Sequence, residues 1–224
     1  MRRLKALLMD HDGTLVESEH AHYRMWVDIL APFGLDLPLD DYVKYHAGQS
    51  TTSNAIRLRE DNPTLTMSVE ELVDVKDRAV EGFLVNDAFP LMPGGRAIID
   101  DFVNRGAKAA VVTGAVGAGV HMSLRWHGLE ELMSTIVSGD QVENGKPAPD
   151  GYLLAAERLG MNPAECVAVE DTEAGVTSAA DAGVVCIAVP SEMSRTHDFG
   201  RADAVVDDLT QAREWISSNF EIGG

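Results

Sequence analysis

Three apolar runs each end in residues capable of metal or phosphate chemistry. Leu7-Leu8-Met9 leads into Asp10-His11-Asp12-Gly13-Thr14, Ala110-Val111-Val112 into Thr113-Gly114, and Val167-Ala168-Val169 into Glu170-Asp171-Thr172. Asp10 and Asp171, with Glu170 beside them, offer oxygen ligands for an octahedral Mg2+ that keeps positions for water and a phosphate oxygen. No His/Cys cluster with zinc spacing competes. A phosphate also needs donors. Lys146 lies in Glu143-Asn144-Gly145-Lys146-Pro147-Ala148-Pro149-Asp150, where prolines fix the backbone locally. Thr113 adds a hydroxyl and Gly114 an amide. Singly, each has a plain alternative: Asp-Gly is a common turn, acidic residues favour a helix start, and a loop lysine is ordinarily solvated. Together they are stronger, because ligands of open α/β sheets bind outside the carboxyl ends of the strands.

The elements that must position these groups are legible as well. Ala6–Met9, Ala109–Val112, Thr135–Val137, Cys166–Val169 and Val184–Val189 are continuous apolar runs of strand length, expected to be parallel and buried on both faces. Ala204–Val206 is a weaker sixth. Helical patterns fall between them, over Gly95–Arg105, Asp150–Leu159 and Thr172–Ala182, and Gly106, Gly160 and Gly183 follow as stops. Alternating strands and helices predict an α/β fold, a Rossmann-like, doubly wound parallel sheet. The first two strands are separated by roughly ninety residues, far more than a crossover needs. That stretch is helical. Tyr23, Trp26, Val27 and Leu30 share one face, and a Ser68-Val69-Glu70-Glu71 capping box precedes Leu72, Val75, Ala79, Val80 and Phe83 on another. The expected organisation is a core of residues 1–15 and 88–224 with an inserted α-helical cap domain, 16–87.

Composition narrows the function. A net charge of −18 over 224 residues argues against nucleic acid, whose phosphates demand Lys and Arg. No apolar stretch approaches the length needed to span a membrane, and the N-terminus lacks a secretory pattern, so a cytoplasmic protein is expected. Cys166 and Cys186, both in strand-like runs, are expected to be buried reduced thiols.

The segment Asp10-His11-Asp12-Gly13-Thr14-Leu15-Val16-Glu17-Ser18 resembles the first motif of the haloacid dehalogenase superfamily. Thr113 is similar to its second motif, Lys146 in Gly-Lys-Pro-Ala-Pro-Asp to its third and Glu170-Asp171 to its fourth, in the family's order. The resemblance implies a helical cap of the β-phosphoglucomutase branch and a Mg2+-dependent phosphatase acting on a small phosphorylated metabolite. Asp10 would be the nucleophile, forming an aspartyl-phosphate. Asp12 would be the general acid/base, its backbone carbonyl also reaching the metal. Asp171 would complete the carboxylate ligands with Glu170 in or next to the shell, and Thr113, Gly114 and Lys146 would hold the phosphate. His22, in His22-Tyr23-Arg24-Met25-Trp26, matches a His-x-x-x-Trp of the mutase branch and could touch the leaving group, or be only a cap-helix histidine. Trp26 reads as cap core, His11 as a variable position, and His197 as solvated loop.

Two departures bear on the activity. The cap segment Ala47–Ala55 and the run Gly114–Ala118 contain no Lys or Arg, where a phosphosugar mutase grips a second phosphate; hydrolysis is therefore favoured, with a β-phosphoglucomutase-like mutase as the alternative. Asp12 argues against a dehalogenase, and no Schiff-base lysine is evident in the first cap helix. A phospho-accepting signalling domain shares the acidic cluster but is about half this length, and a non-catalytic binding module would have lost one of Asp10, Asp12 or Lys146. The cap polar groups Gln49, Ser50, Thr51, Thr52 and Asn54 suggest a hydroxylated metabolite. The chain is expected to be a monomer or weak homodimer.

Overall fold

The computed structural model describes residues 3–223. Chain order is β1 (Arg3–Leu4), β2 (Ala6–Met9), α1 (Glu19–Leu30), α2 (Leu39–Tyr45), α3 (Thr51–Asp61), α4 (Val69–Leu84), α5 (Gly95–Asn104), β3 (Lys108–Val112), α6 (Gly117–Trp126), β4 (Met133–Val137), α7 (Asp150–Leu159), β5 (Cys166–Glu170), α8 (Glu173–Asp181), β6 (Val185–Ala188), β7 (Ala204–Val205), α9 (Leu209–Asn219) and β8 (Glu221–Ile222). Six strands form a parallel sheet in the order β4-β3-β2-β5-β6-β7, and β1 pairs with β8 in a two-residue ladder that the apolar pattern did not reveal.

β2 sits between β3 and β5, so the strand carrying Asp10 is flanked by those carrying Thr113 and Glu170. Its side chains alternate between two cores. Leu7 and Met9 join the cluster with Ile98 and Phe102 of α5 and Leu124 of α6; Ala6 and Leu8 join the one with Tyr152 of α7 and Val176 of α8. Small residues on the second face let α7 and α8 approach closely. The expectation of burial on both faces fails at β4, whose Met133, Thr135 and Ile136 are only half-buried, because β4 is an edge strand.

The helices α1–α4 occupy the long insertion and enclose a third apolar cluster around Trp26, Leu30, Tyr42, Leu58 and Leu72. Ser68 and Glu71 form the reciprocal capping box at the start of α4. Farther along α4, Val80, Phe83 and Leu84 pack instead on the sheet's first core, and Trp126 at the end of α6 donates to the Leu84 carbonyl at 2.6 Å. One helix thus spans both clusters. Its buried line runs Leu72, Lys76, Leu84, with a lysine where the pattern had only apolar residues.

Candidate active site

Each expected group at the carboxyl edge of the sheet converges on one crevice. Asp10 leaves β2 with its backbone N–H donated to the Val169 carbonyl of β5 (3.1 Å), which holds the first residue of the crevice in the sheet's register. Lys146 Nζ reaches 2.6 Å from Asp10 Oδ1 and 2.6 Å from Glu170 Oε1, and donates to the Val112 carbonyl at 2.9 Å. Asp171 lies beside them, with weak contacts of 3.4 Å from Thr14 Oγ1 and from Ser194 Oγ. Gly13, at φ +80°, makes this possible, since a Cβ there would collide with the Asp171 carboxylate. Thr113 is fixed by its N–H to the Val137 carbonyl (2.9 Å), and its Oγ1 accepts from the Ala115 amide (3.0 Å), so the hydroxyl proton remains for a ligand.

The electrostatics of the crevice call for positive charge. One oxygen from each of Asp10, Glu170 and Asp171 falls within 4.8 Å of the others. Burial raises the Glu170 carboxyl to about 7, with the Asp10 charge adding to it. Asp171 is raised well above the carboxylate range by burial and again by Asp10. The Lys146 ammonium is opposed by burial, but the Asp10 and Glu170 carboxylates more than offset this and hold it charged. A single lysine still faces three carboxylates. Glu170 Oε2 is buried without a hydrogen-bond partner, although Tyr152 donates to its Oε1. Such a donor set, oxygen-only and short of cations, fits a hard divalent ion.

The sequence model of the haloacid dehalogenase-like hydrolases matches residues 4–183. The chain belongs to this hydrolase family. It is 32% identical over 217 residues to protein CbbY of Rhodobacter capsulatus, covering 93% of this chain and 95% of the relative. It is 30% identical over 189 residues to the fructose-1-phosphate phosphatase YqaB of Escherichia coli, covering 84% and 97%. Among solved structures, a mutant of CbbY from Rhodobacter sphaeroides in complex with xylulose-(1,5)bisphosphate superposes with a TM-score of 0.86 at 26% identity, covering 93% of this chain and 96% of that one.

In this haloacid dehalogenase-like hydrolase the second aspartate is tied to the helical insertion. Asp12 Oδ1 accepts from Ser18 Oγ at 2.6 Å and from His22 Nε2 at 3.1 Å. On the far side of that imidazole, Lys76 Nζ from α4 donates to His22 Nδ1 at 2.8 Å, which leaves Nε2 carrying the proton. Burial would raise the Asp12 carboxyl, yet His11 and His22 hold it well below the usual range. Burial lowers Lys76 to about 8 despite the charges of Asp12 and Glu19. His22 is thus bonded through both ring nitrogens, to Asp12 and to Lys76. Lys76 was missed because it interrupts an apolar stripe, and a lone polar residue there carries no motif.

A cavity of about 490 Å³ opens between this edge and the helical insertion. Core groups Asp10, Thr113, Gly114 and Lys146 form its floor, and Glu19, Tyr42, Gln49, Thr51 and Lys76 form its far wall. Trp26 lines it too, although it is 1% exposed and belongs to the cap cluster. Glu19 is buried, accepts from Tyr42 Oη (2.7 Å) and the Gly48 amide (3.1 Å), and is raised by burial. Of the polar cap groups, Asn54 is committed internally, its amide donating to the His46 carbonyl and its Oδ1 paired with His46 Nδ1. Ser50 caps α3. His197 departs from its expected solvated state: it is half-buried and accepts weakly from the Glu173 amide at 3.4 Å. Cys166 and Cys186 are buried free thiols, with burial raising the first to about 11. Among the described residues no helix is long and apolar enough to cross a membrane.

Proposed function

We propose that the chain is a Mg2+-dependent phosphatase for a small, hydroxylated phosphate monoester, working through an aspartyl-phosphate on Asp10. The observation that carries this is the pairing of two aspartates in different settings. Asp10 faces the carboxylate cluster and Lys146, whereas Asp12 is held by Ser18 and His22 toward the cavity. Asp10 attacks phosphorus in line; Asp12 gives a proton to the departing alkoxide, then removes one from the water that cleaves the acyl phosphate. Lys146, the Thr113 hydroxyl and the Gly114 amide stabilise charge on the equatorial oxygens. Asp10, Asp171, Glu170 and the Asp12 backbone carbonyl would hold Mg2+, which supplies the positive charge that lets a carboxylate meet a phosphate dianion. The insertion, residues 16–87, acts as the cap that closes the cavity over the leaving group.

A neutral or hydroxylated distal group suits the cavity wall, where Glu19 and Glu143 oppose a second anion. A sugar monophosphate meets that description, and a fructose-1-phosphate phosphatase among the relatives agrees with it. Lys76 supports the alternative of a phosphosugar mutase, because it brings a cation to the cap wall. Among the described residues it is the only lysine or arginine of the insertion that lines the cavity, and it is already engaged with His22. Hydrolysis is the better supported reading. The test is phosphate release from a panel of sugar, polyol and nucleoside monophosphates with Mg2+ and with chelator, alongside conversion of β-glucose 1-phosphate to glucose 6-phosphate. Efficient conversion would replace the phosphatase with the mutase. Turnover undiminished by chelation would remove Mg2+ from the mechanism.

A further inference from the structure

His11, the residue between the two aspartates, is 2% exposed and turns away from the cavity into the first core. There its Nε2 lies 2.9 Å from Ser123 Oγ on α6, between Val120 and Leu124 of the apolar cluster. Two polar side chains buried face to face in an apolar layer cost desolvation energy that a leucine and an alanine would avoid. The pair meets only half of the imidazole's demand. Its Nδ1 is buried without an in-line hydrogen-bond partner, and Asp12 Oδ1 lies 3.3 Å away. A hollow of about 40 Å³ is bordered by His11, Asp12, Val116 and Gly119 beside the ring.

We propose that His11, anchored by Ser123, is a positioning residue for Asp12, resting on the reading of Asp12 as the acid/base of phosphate ester cleavage. With Ser123 donating to Nε2, the ring carries its proton on Nδ1 and directs it at Asp12 Oδ1. That oxygen is then held by Ser18, His22 and His11 together, so Oδ2 is the oxygen presented to the leaving group. The three holds differ in origin. Ser18 and His22 belong to the entry to the insertion and to α1, whereas His11 and Ser123 are seated in the core. The core pair therefore fixes Asp12 independently of where the cap helices sit.

The experiment measures kcat/KM for an alkyl phosphate and for p-nitrophenyl phosphate in the unaltered chain and in His11→Leu, His11→Asn and Ser123→Ala. This parameter covers the step in which the ester oxygen departs, and nitrophenolate departs without a proton. His11→Leu is expected to lower the alkyl value roughly 10- to 100-fold while changing the aryl value less than about threefold. His11→Asn, whose amide can donate from nearly the Nδ1 position, should recover most of the loss, and Ser123→Ala should lose less than His11→Leu in the same direction. Equal losses on both esters, or no loss on the alkyl ester, would overturn the inference. If His11→Leu fails to fold, the same alkyl-to-aryl comparison in Ser123→Ala decides it. Absence of both activities in the unaltered chain would instead overturn the phosphatase reading, and the inference with it.

Discussion

The floor of the cavity and its cap wall are built from different material. On the floor, Asp10, Thr113, Glu170 and Asp171 lie at the ends of three adjacent parallel strands, are at most 6% exposed, and are held by strand backbone, by Lys146 or by the Thr14 and Ser194 hydroxyls. The wall is assembled from helices and a turn, with Gln49 and Thr52 exposed and Glu19, Tyr42, Trp26, Asn54 and Lys76 locked in place. Strand ends fix a side chain's direction through the ladder, so a charge that must act on one phosphorus atom is best carried there. The wall can change its polar tips without disturbing a sheet. Under the proposed function, chemistry belongs to the floor and discrimination between leaving groups to the wall.

The sharpest break of that contrast is Asp10→Asn, which keeps shape and loses the proposed nucleophile. Turnover of every monophosphate should fall by roughly four powers of ten or more, and no added phosphate should appear in the intact mass. A phosphorylated protein in that variant would move the nucleophile elsewhere. Asp12 stands at the junction of floor and wall. Asp12→Asn should cost about 10²- to 10⁴-fold in kcat/KM with an alkyl phosphate and markedly less with a nitrophenyl ester; equal losses would deny it the proton-transfer role.

Lys76 tests whether a buried wall residue serves function at the expense of stability. Its pKa in the folded chain, lowered by burial to about 8, lies below the ordinary lysine value of 10.5. Between those values the unfolded chain binds more protons, so stability rises with pH across the window, and below pH 8 the full penalty is present. Lys76→Met should thus stabilise the protein at pH 7 by up to about 3 kcal/mol, read by denaturant unfolding, with the gain fading as pH rises from 8 toward 10.5. Activity on the preferred substrate should fall, because His22 loses the donor that sets its tautomer. A destabilised variant would show that Lys76 is integral to cap packing. Smallest is Gln49→Ala, exposed on the wall: one neutral hydrogen bond is worth about 0.5–1.5 kcal/mol, so KM should rise about two- to tenfold with kcat unchanged. A comparable fall in kcat would place the wall inside the chemistry and erase the contrast.

The sequence alone determined the sheet and its reactive edge. Apolar runs ending abruptly in Asp10, Thr113 and Glu170-Asp171 define both the strands and the carboxyl ends where ligands bind, and Gly160 closes α7 at φ +68° as its position after Leu159 required. Strand direction couples the two facts, so one pattern carries both. The half-buried β4 was not legible, because edge position depends on strand order rather than composition. Nor were the partners of Asp12. His22 is ten residues from it in sequence, Lys76 fifty-four from His22, and Ser123 one hundred and twelve from His11. Only the packing of α1 beside the sheet's edge, and of α4 and α6 against each other on the first core, brings them within 3.5 Å of their partners. Side chains on separate helices meet according to crossing geometry and core volume, and a linear pattern of apolar and polar residues records neither.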